Sequence, residues 1–146
     1  MWSSYSNQRI YLDSNIIIYA IERNHSWART AKSLLDAIED RVFLAIASEL
    51  AVAEVLSKPL AVGNQNLVRK YEQVFADDIG LKMFPIDRNV LLQAAHLRGR
   101  LKLKLFDAIH VATARQAGCD HFLTQDERLG RALAGEPKWL KLSEIN

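Results

Sequence analysis

A chain of 146 residues, 49% of them hydrophobic and 25% charged, has the size and make-up of one globular domain, which excludes a disordered tail, a fibrous repeat and a disulfide-stapled miniprotein. Its single cysteine, Cys119, cannot close an internal disulfide, and no His/Cys group shows zinc-ligand spacing. The net charge of +2 permits a nucleic-acid partner without requiring one, and apolar runs such as Ile16 to Ile21 are too short to span a bilayer.

The segment from Met1 to Arg9 is polar, without the apolar centre of a secretory signal, so a cytoplasmic location is expected. Arg9-Ile10-Tyr11-Leu12-Asp13 is a β-branched and aromatic run that ends in an acid, and it predicts a first strand. Asp13-Ser14-Asn15 supplies helix-capping side chains ahead of Ile16 to Ile21, a buried first helix. Trp27, Ala31, Leu34, Leu35 and Ile38 recur at helical spacing between Ser26 and Asp40, giving an amphipathic outer helix. Val42 to Ala47 is continuously apolar, as expected of a strand covered on both faces.

Ser48 opens a helix expected to reach about Ser57 and to stop before Lys58-Pro59; a turn at Gly63-Asn64 then leads into a charged helix ending near Asp78. Leu81 to Ile86 predicts a third strand, and Asp87 to about Arg98 a helix punctuated by Gly99. A helix from Asp107 to Ala117, closed by Gly118, precedes a fourth strand at His121 to Thr124. Asp126 to Ala134 reads as a short helix and Trp139 to Leu142 as a last strand. The alternation implies a doubly wound α/β fold: a three-layer α/β/α sandwich with a central parallel sheet of four to five strands, as one domain over residues 1–146.

In such sheets ligands bind beyond the carboxyl ends of the strands, where Asp13 and Asp126 fall. Glu54 lies among Leu50, Ala51, Val52, Ala53, Val55 and Leu56, an apolar turn in which an ionised carboxylate needs a positive partner: either a bound cation or Lys58 four residues on. Asp13, Asp107 and Asp126 each open a helix, so capping competes with catalysis at every one, and Thr124 with Glu127 forms a capping-box pattern. If the four carboxylates gather, their repulsion calls for a divalent cation, and an oxygen-only donor set favours Mg²⁺ or Mn²⁺ over zinc.

Four blocks carry a resemblance: Tyr11 to Tyr19, Ser48 to Val55, Phe106-Asp107-Ala108-Ile109-His110-Val111-Ala112-Thr113-Ala114, and Phe122-Leu123-Thr124-Gln125-Asp126. In order and spacing the chain resembles the PIN-domain ribonucleases, and within them the VapC-type toxins of toxin–antitoxin systems, nearly end to end. The resemblance implies that Asp13, Glu54, Asp107 and Asp126 bind Mg²⁺ or Mn²⁺ and activate water for RNA cleavage, with Ser14 and Thr124 as supporting hydroxyls. It also implies a homodimer and a small antitoxin whose C-terminal segment lies across the cleft. Gln125 stands where the family often has Asn.

Arg98, Arg100, Lys102 and Lys104 form a basic run before Asp107; Arg100, Lys102 and Lys104 are candidate RNA-phosphate contacts, or solvated charges with the intervening leucines turned inward. His110, one turn after Asp107, is read as a packed, hydrogen-bonded residue outside catalysis. Phosphoryl transfer through an aspartyl intermediate is disfavoured, because a second Asp two residues after the first is replaced by Asn15. The alternatives that stay open are a PIN-fold nuclease of RNA maturation and a non-catalytic RNA- or protein-binding module.

Overall fold

The computed structural model describes residues 1–23, 26–76 and 79–145. After a 3₁₀ turn at Trp2–Tyr5 come β1 (Arg9–Leu12), α1 (Ser14–Glu22), α2 (Ala28–Glu39), β2 (Leu44–Ser48), α3 (Leu50–Ala61) and α4 (Gln65–Val74). The second half holds β3 (Leu81–Phe84), α5 (Arg88–Leu101), α6 (Leu105–Gln116), β4 (His121–Leu123), α7 (Glu127–Ala132) and β5 (Lys138–Leu140), then a 3₁₀ turn at Leu142–Glu144. All five strands are parallel, in the order β3-β2-β1-β4-β5. The strand order reverses at β1, so the C-terminal ends of β1 and β4 adjoin at the switch point where such sheets take ligands.

The alternation along β1 builds the three layers. Ile10 and Leu12 face a core shared with Ile16 and Ile17 of α1, Leu34 of α2, Val55 of α3 and Tyr71 of α4. Tyr11 faces the opposite core with Ile46, Phe122, Val90 and Leu97 of α5, Val111 of α6 and Leu129 of α7. Each fully buried Leu or Ile in these layers contributes about 1.5–3 kcal/mol, so neither face can be opened cheaply. Gly80, at φ +100°, lies where a Cβ would come within 2.5 Å of the Ile38 carbonyl oxygen, so the turn into β3 requires glycine twice over.

Several boundaries move from their sequence-based positions. The helix expected to stop before Lys58-Pro59 continues through Pro59 to Ala61: so near the helix end the missing N–H removes one bond, and the proline is buried. Gly99 does not end α5, because glycine costs a helix only about 1 kcal/mol; the helix runs to Leu101, and Lys102 at φ 56° ends it. The charged helix stops at Val74, while Asp78, its expected end, lies outside the described residues. The helix carrying Asp107 starts two residues early, at Leu105, which puts Asp107 inside its first turn. Cys119 is half-buried, and burial pushes its thiol up to about 12.

Candidate active site

Asp13 leaves the end of β1 with extended backbone and caps α1, its Oδ1 accepting the Ser14 N–H at 2.8 Å. Its Oδ2 accepts the Thr124 hydroxyl at 2.7 Å, which ties the ends of β1 and β4 together across 111 residues of sequence. Thr124 Oγ1 in turn accepts the Asp126 N–H at 3.1 Å, and Asp126 caps α7 through Oδ1 to the Leu129 N–H at 3.2 Å. The cap of α7 is therefore Asp126 itself, and Thr124 serves Asp13 rather than a Thr124–Glu127 box. Capping and site placement are not alternatives here: the cap fixes where each carboxylate points.

Burial raises the carboxyl pKa of Asp13 more than His110, Thr124 and the Ser14 N–H lower it. Asp107, half-buried, is raised by burial first and then by the charges of Asp13 and Asp126. Asp107 thus lies within electrostatic reach of both Asp13 and Asp126, which stand at the adjoining C-terminal ends of β1 and β4. Arg128, in the first turn of α7, lies 3.7 Å from Asp107 and partly offsets that repulsion.

Glu54 is held differently. On α3 it is half-buried, and its Oε1 takes both His110 Nε2 at 2.6 Å and the Ser14 hydroxyl at 2.7 Å. Burial pushes its carboxyl up, but the His110 bond and charge and the Ser14 bond together hold it below the usual range. The positive partner demanded by its apolar turn is thus His110, and Lys58 is exposed. His110 is itself buried; desolvation lowers its pKa, and the Glu54 bond with the charges of Asp13, Glu54 and Asp107 raises it above the ordinary value. Its other ring nitrogen, Nδ1, meets the Tyr11 hydroxyl at 2.5 Å.

The donor set suits a hard divalent ion: carboxylate oxygens, with the charges of Asp13 and Asp126 raising Asp107, and hydroxyls beside them. Among the described residues no group of three or more His, Cys, Asp or Glu side chains is arranged as a ready metal cage. Mg²⁺ does not require one, since it keeps several waters and uses one or two carboxylates directly. Asp13 and Asp107, both held above their ordinary range, gain most from such a cation.

Of the basic candidates, Arg100 closes α5, Lys102 is the left-handed residue after it, and Lys104 precedes α6; all three are exposed. The structure records none of them in an ion pair with a site carboxylate, whereas Arg128, which sequence reasoning passed over, makes one. His110 was also placed outside the site, and one signal pointed to it. It is a polar residue within the apolar stretch Ile109 to Ala112 of α6, matching Glu54 within the apolar turn of α3, so each supplies what the other lacks. Gln125 turns its amide oxygen to the Leu142 N–H at 2.6 Å, fastening the segment after β5.

The sequence pattern of the PIN domain matches residues 10–133. No curated protein matches the chain. Among solved structures, a toxin–antitoxin complex from Klebsiella pneumoniae superposes with TM-score 0.66 at 22% identity, covering 93% of this chain and 99% of that one. DNA-bound VapBC from Salmonella typhimurium gives TM-score 0.70 at 13% identity, with 92% and 98% covered. VapC20 of Mycobacterium tuberculosis, described as a sarcin-ricin loop cleaving toxin, gives TM-score 0.68 at 16% identity, with 84% and 94% covered. At these identities the likeness establishes a common fold.

Proposed function

The chain belongs to the PIN-domain family, and from that premise we propose that it is a metal-dependent endoribonuclease, the toxin of a toxin–antitoxin pair, acting as a single domain over residues 1–146. The observation that carries this reading is the Thr124 hydroxyl bridging Asp13 Oδ2 and the Asp126 N–H, beside Asp107, whose carboxyl the charges of both aspartates raise. Asp13, Asp107, Asp126 and Glu54 would hold Mg²⁺ or Mn²⁺. When bound, such an ion polarises the phosphodiester and eases deprotonation of the attacking water. Ser14 and Thr124 fix the carboxylates: Thr124 restrains Asp13 and Asp126 together, while Ser14 gives its hydroxyl to Glu54 and its N–H to Asp13.

The same reading takes RNA as substrate, with Arg100, Lys102 and Lys104 as phosphate contacts, a homodimer, and an antitoxin laid across the acidic cleft as cognate partner. The solved relatives that are toxin–antitoxin complexes support the partner, and VapC20 supports RNA as substrate. No helix among the described residues is long and apolar enough to cross a membrane. A cytoplasmic location belongs to the proposal.

The test is purified, antitoxin-free protein with single-stranded and structured RNA under Mg²⁺, Mn²⁺ or EDTA. Cleavage with either ion and none with EDTA is expected. Absence of cleavage under every condition would replace the nuclease with a binding module, and a gene neighbourhood without a short DNA-binding antitoxin would move it to RNA maturation.

A further inference from the structure

We propose that His110 is a positioning residue of this site, which together with Tyr11 holds the Glu54 carboxylate in one orientation. The imidazole is 1% exposed and lies among residues drawn from separate elements: Tyr11 of β1 on Nδ1, Glu54 of α3 on Nε2, and Ser14 of α1 at 3.3 Å from Nε2. Asp13 Oδ1 stands 4.0 Å away. Both ring nitrogens are therefore occupied, one by a carboxylate and one by a hydroxyl.

The chemistry of those two partners fixes where the proton sits. A carboxylate oxygen can only accept, so Nε2 carries a hydrogen toward Glu54. The Tyr11 hydroxyl can donate or accept, so Nδ1 keeps its partner whether or not it is protonated. Tyr11 cannot turn away: it is fully buried, its ring stacks on Phe122 at 4.8 Å, and its neighbours across the sheet are Ile46 and Phe122. The chain Tyr11–His110–Glu54 thus runs from the middle of β1 to the cleft with no freely rotating link.

A histidine buried only to support the fold would not need this arrangement. The Glu54 side chain is 25% exposed, so the buried imidazole meets a carboxylate that is itself partly open to solvent. Oε1 nevertheless takes both the His110 and the Ser14 bonds, which leaves Oε2 as the Glu54 oxygen available to the reaction. Hydrogen-bonding partners behind metal-site ligands fix orientation in this way, and their loss costs about 10–100-fold in metal affinity or activity. Orientation of one carboxylate governs the chemical step more than RNA binding, so the loss falls on kcat.

This inference rests on the nuclease reading above, and its test separates the two. In metal-free protein labelled with ¹⁵N at histidine, His110 should show a protonated Nε2 whose hydrogen exchanges far more slowly than that of exposed His96. A bare Nε2, or exchange as fast as His96, would overturn the proposal whatever the protein cleaves. With metal and RNA, His110→Leu should lower kcat by about 10–100-fold at unchanged KM. His110→Gln, whose amide N–H can reach Oε1, should restore most of it. Tyr11→Phe, which keeps the ring and its stacking, should lower kcat less than His110→Leu and broaden the His110 Nε2 signal. If His110→Leu does not fold, Tyr11→Phe decides: wild-type kcat with an unchanged imidazole signal would refute the role. Wild-type protein that cleaves no RNA, with the protected Nε2 hydrogen present, would overturn the nuclease reading and leave the positioning of Glu54 standing.

Discussion

The guanidinium of Arg128 lies 3.7 Å from the carboxylate of Asp107, two residues beyond the aspartate that caps its own helix. It is the one arginine paired with a site carboxylate among the described residues, and most of its side chain is in solvent. An exposed pair of this kind adds about 0–1 kcal/mol to stability, so Arg128→Ala should leave the melting temperature nearly unchanged. An anionic RNA in the cleft offers the guanidinium a phosphate. The variant should therefore raise KM and flatten the salt dependence of RNA binding by about 0.7 in log–log slope. An unaltered slope would separate Arg128 from the substrate.

Asp13→Asn should abolish cleavage while the metal-free protein melts at the same temperature or higher. Asparagine caps helices as well as aspartate does: its oxygen can keep the Ser14 N–H while its amide N–H meets Thr124 Oγ1 where Oδ2 stood. Asp13 is raised by burial, so the folded state holds its proton to higher pH than the unfolded chain does. Its contribution is fully present below the ordinary aspartate range and is lost as pH rises through the raised folded value. Thermal melts of the metal-free pair from pH 4 to 8 should show the wild type losing ground with rising pH; a clear drop for Asp13→Asn at neutral pH would contradict this.

Thr124→Val preserves shape and removes both bonds made by the hydroxyl. Asp13 Oδ2 and the Asp126 N–H lose their partner, at a cost of about 1–3 kcal/mol for a buried group left unpaired. Thr124→Ser should recover most of the stability and the activity. Urea denaturation and RNA turnover on the three proteins measure it.

Gly130 lies against the indole of Trp139, where an added Cβ would come within 2.0 Å of a ring carbon. Trp139 Nε1 donates to the Thr124 carbonyl at 3.1 Å, so a displaced indole pulls on the strand end that holds Asp13. Gly130→Ala should cost at least the roughly 1–3 kcal/mol of an overpacked core and lower kcat beyond what the lost folded fraction explains. Wild-type turnover per folded molecule would break that link.

His121, at the opposite end of β4, stacks edge-on against Tyr5, and its Nδ1 is buried without a hydrogen-bond partner among the described residues. Burial lowers its pKa, so as pH falls the unfolded chain takes up a proton before the folded one. Stability from this residue is present above the ordinary histidine range and is lost as pH falls toward the lowered folded value. His121→Phe keeps an aromatic edge for Tyr5 and should reduce the loss of melting temperature between pH 7 and pH 5.

The sequence carried the strands and the local chemistry well. An aliphatic and aromatic run set β1, a continuous apolar run set β2, the Asp13 cap set the start of α1, and the alternation of elements implied a parallel sheet, all of which depend on neighbours in sequence. It carried less of what depends on packing between elements. Pro59 and Gly99 read as helix stops because their local penalties are real, yet Pro59 is buried close to the end of α3 and exposed Gly99 costs α5 only about 1 kcal/mol. Asp107 and Asp126 were recognised by pattern, while their electrostatic meeting with Asp13 needed the α6 and α7 crossings. His110 shows the limit most clearly: its apolar surroundings in sequence mark it as a polar residue in need of a partner, but only the packing of α6 against α3 pairs it with a glutamate 56 residues away.

The Thr124–Asp13 bond also sets an order on synthesis. Asp13 is made before the strand that completes its surroundings, which follows more than a hundred residues later, and the Leu140 carbonyl must then take the Thr124 N–H. A nascent chain halted before β4 has the first carboxylate on an open sheet edge and no site. The long-range closure of the sheet therefore makes the first carboxylate's surroundings wait on the strand that pairs with β1 from the far side of the chain.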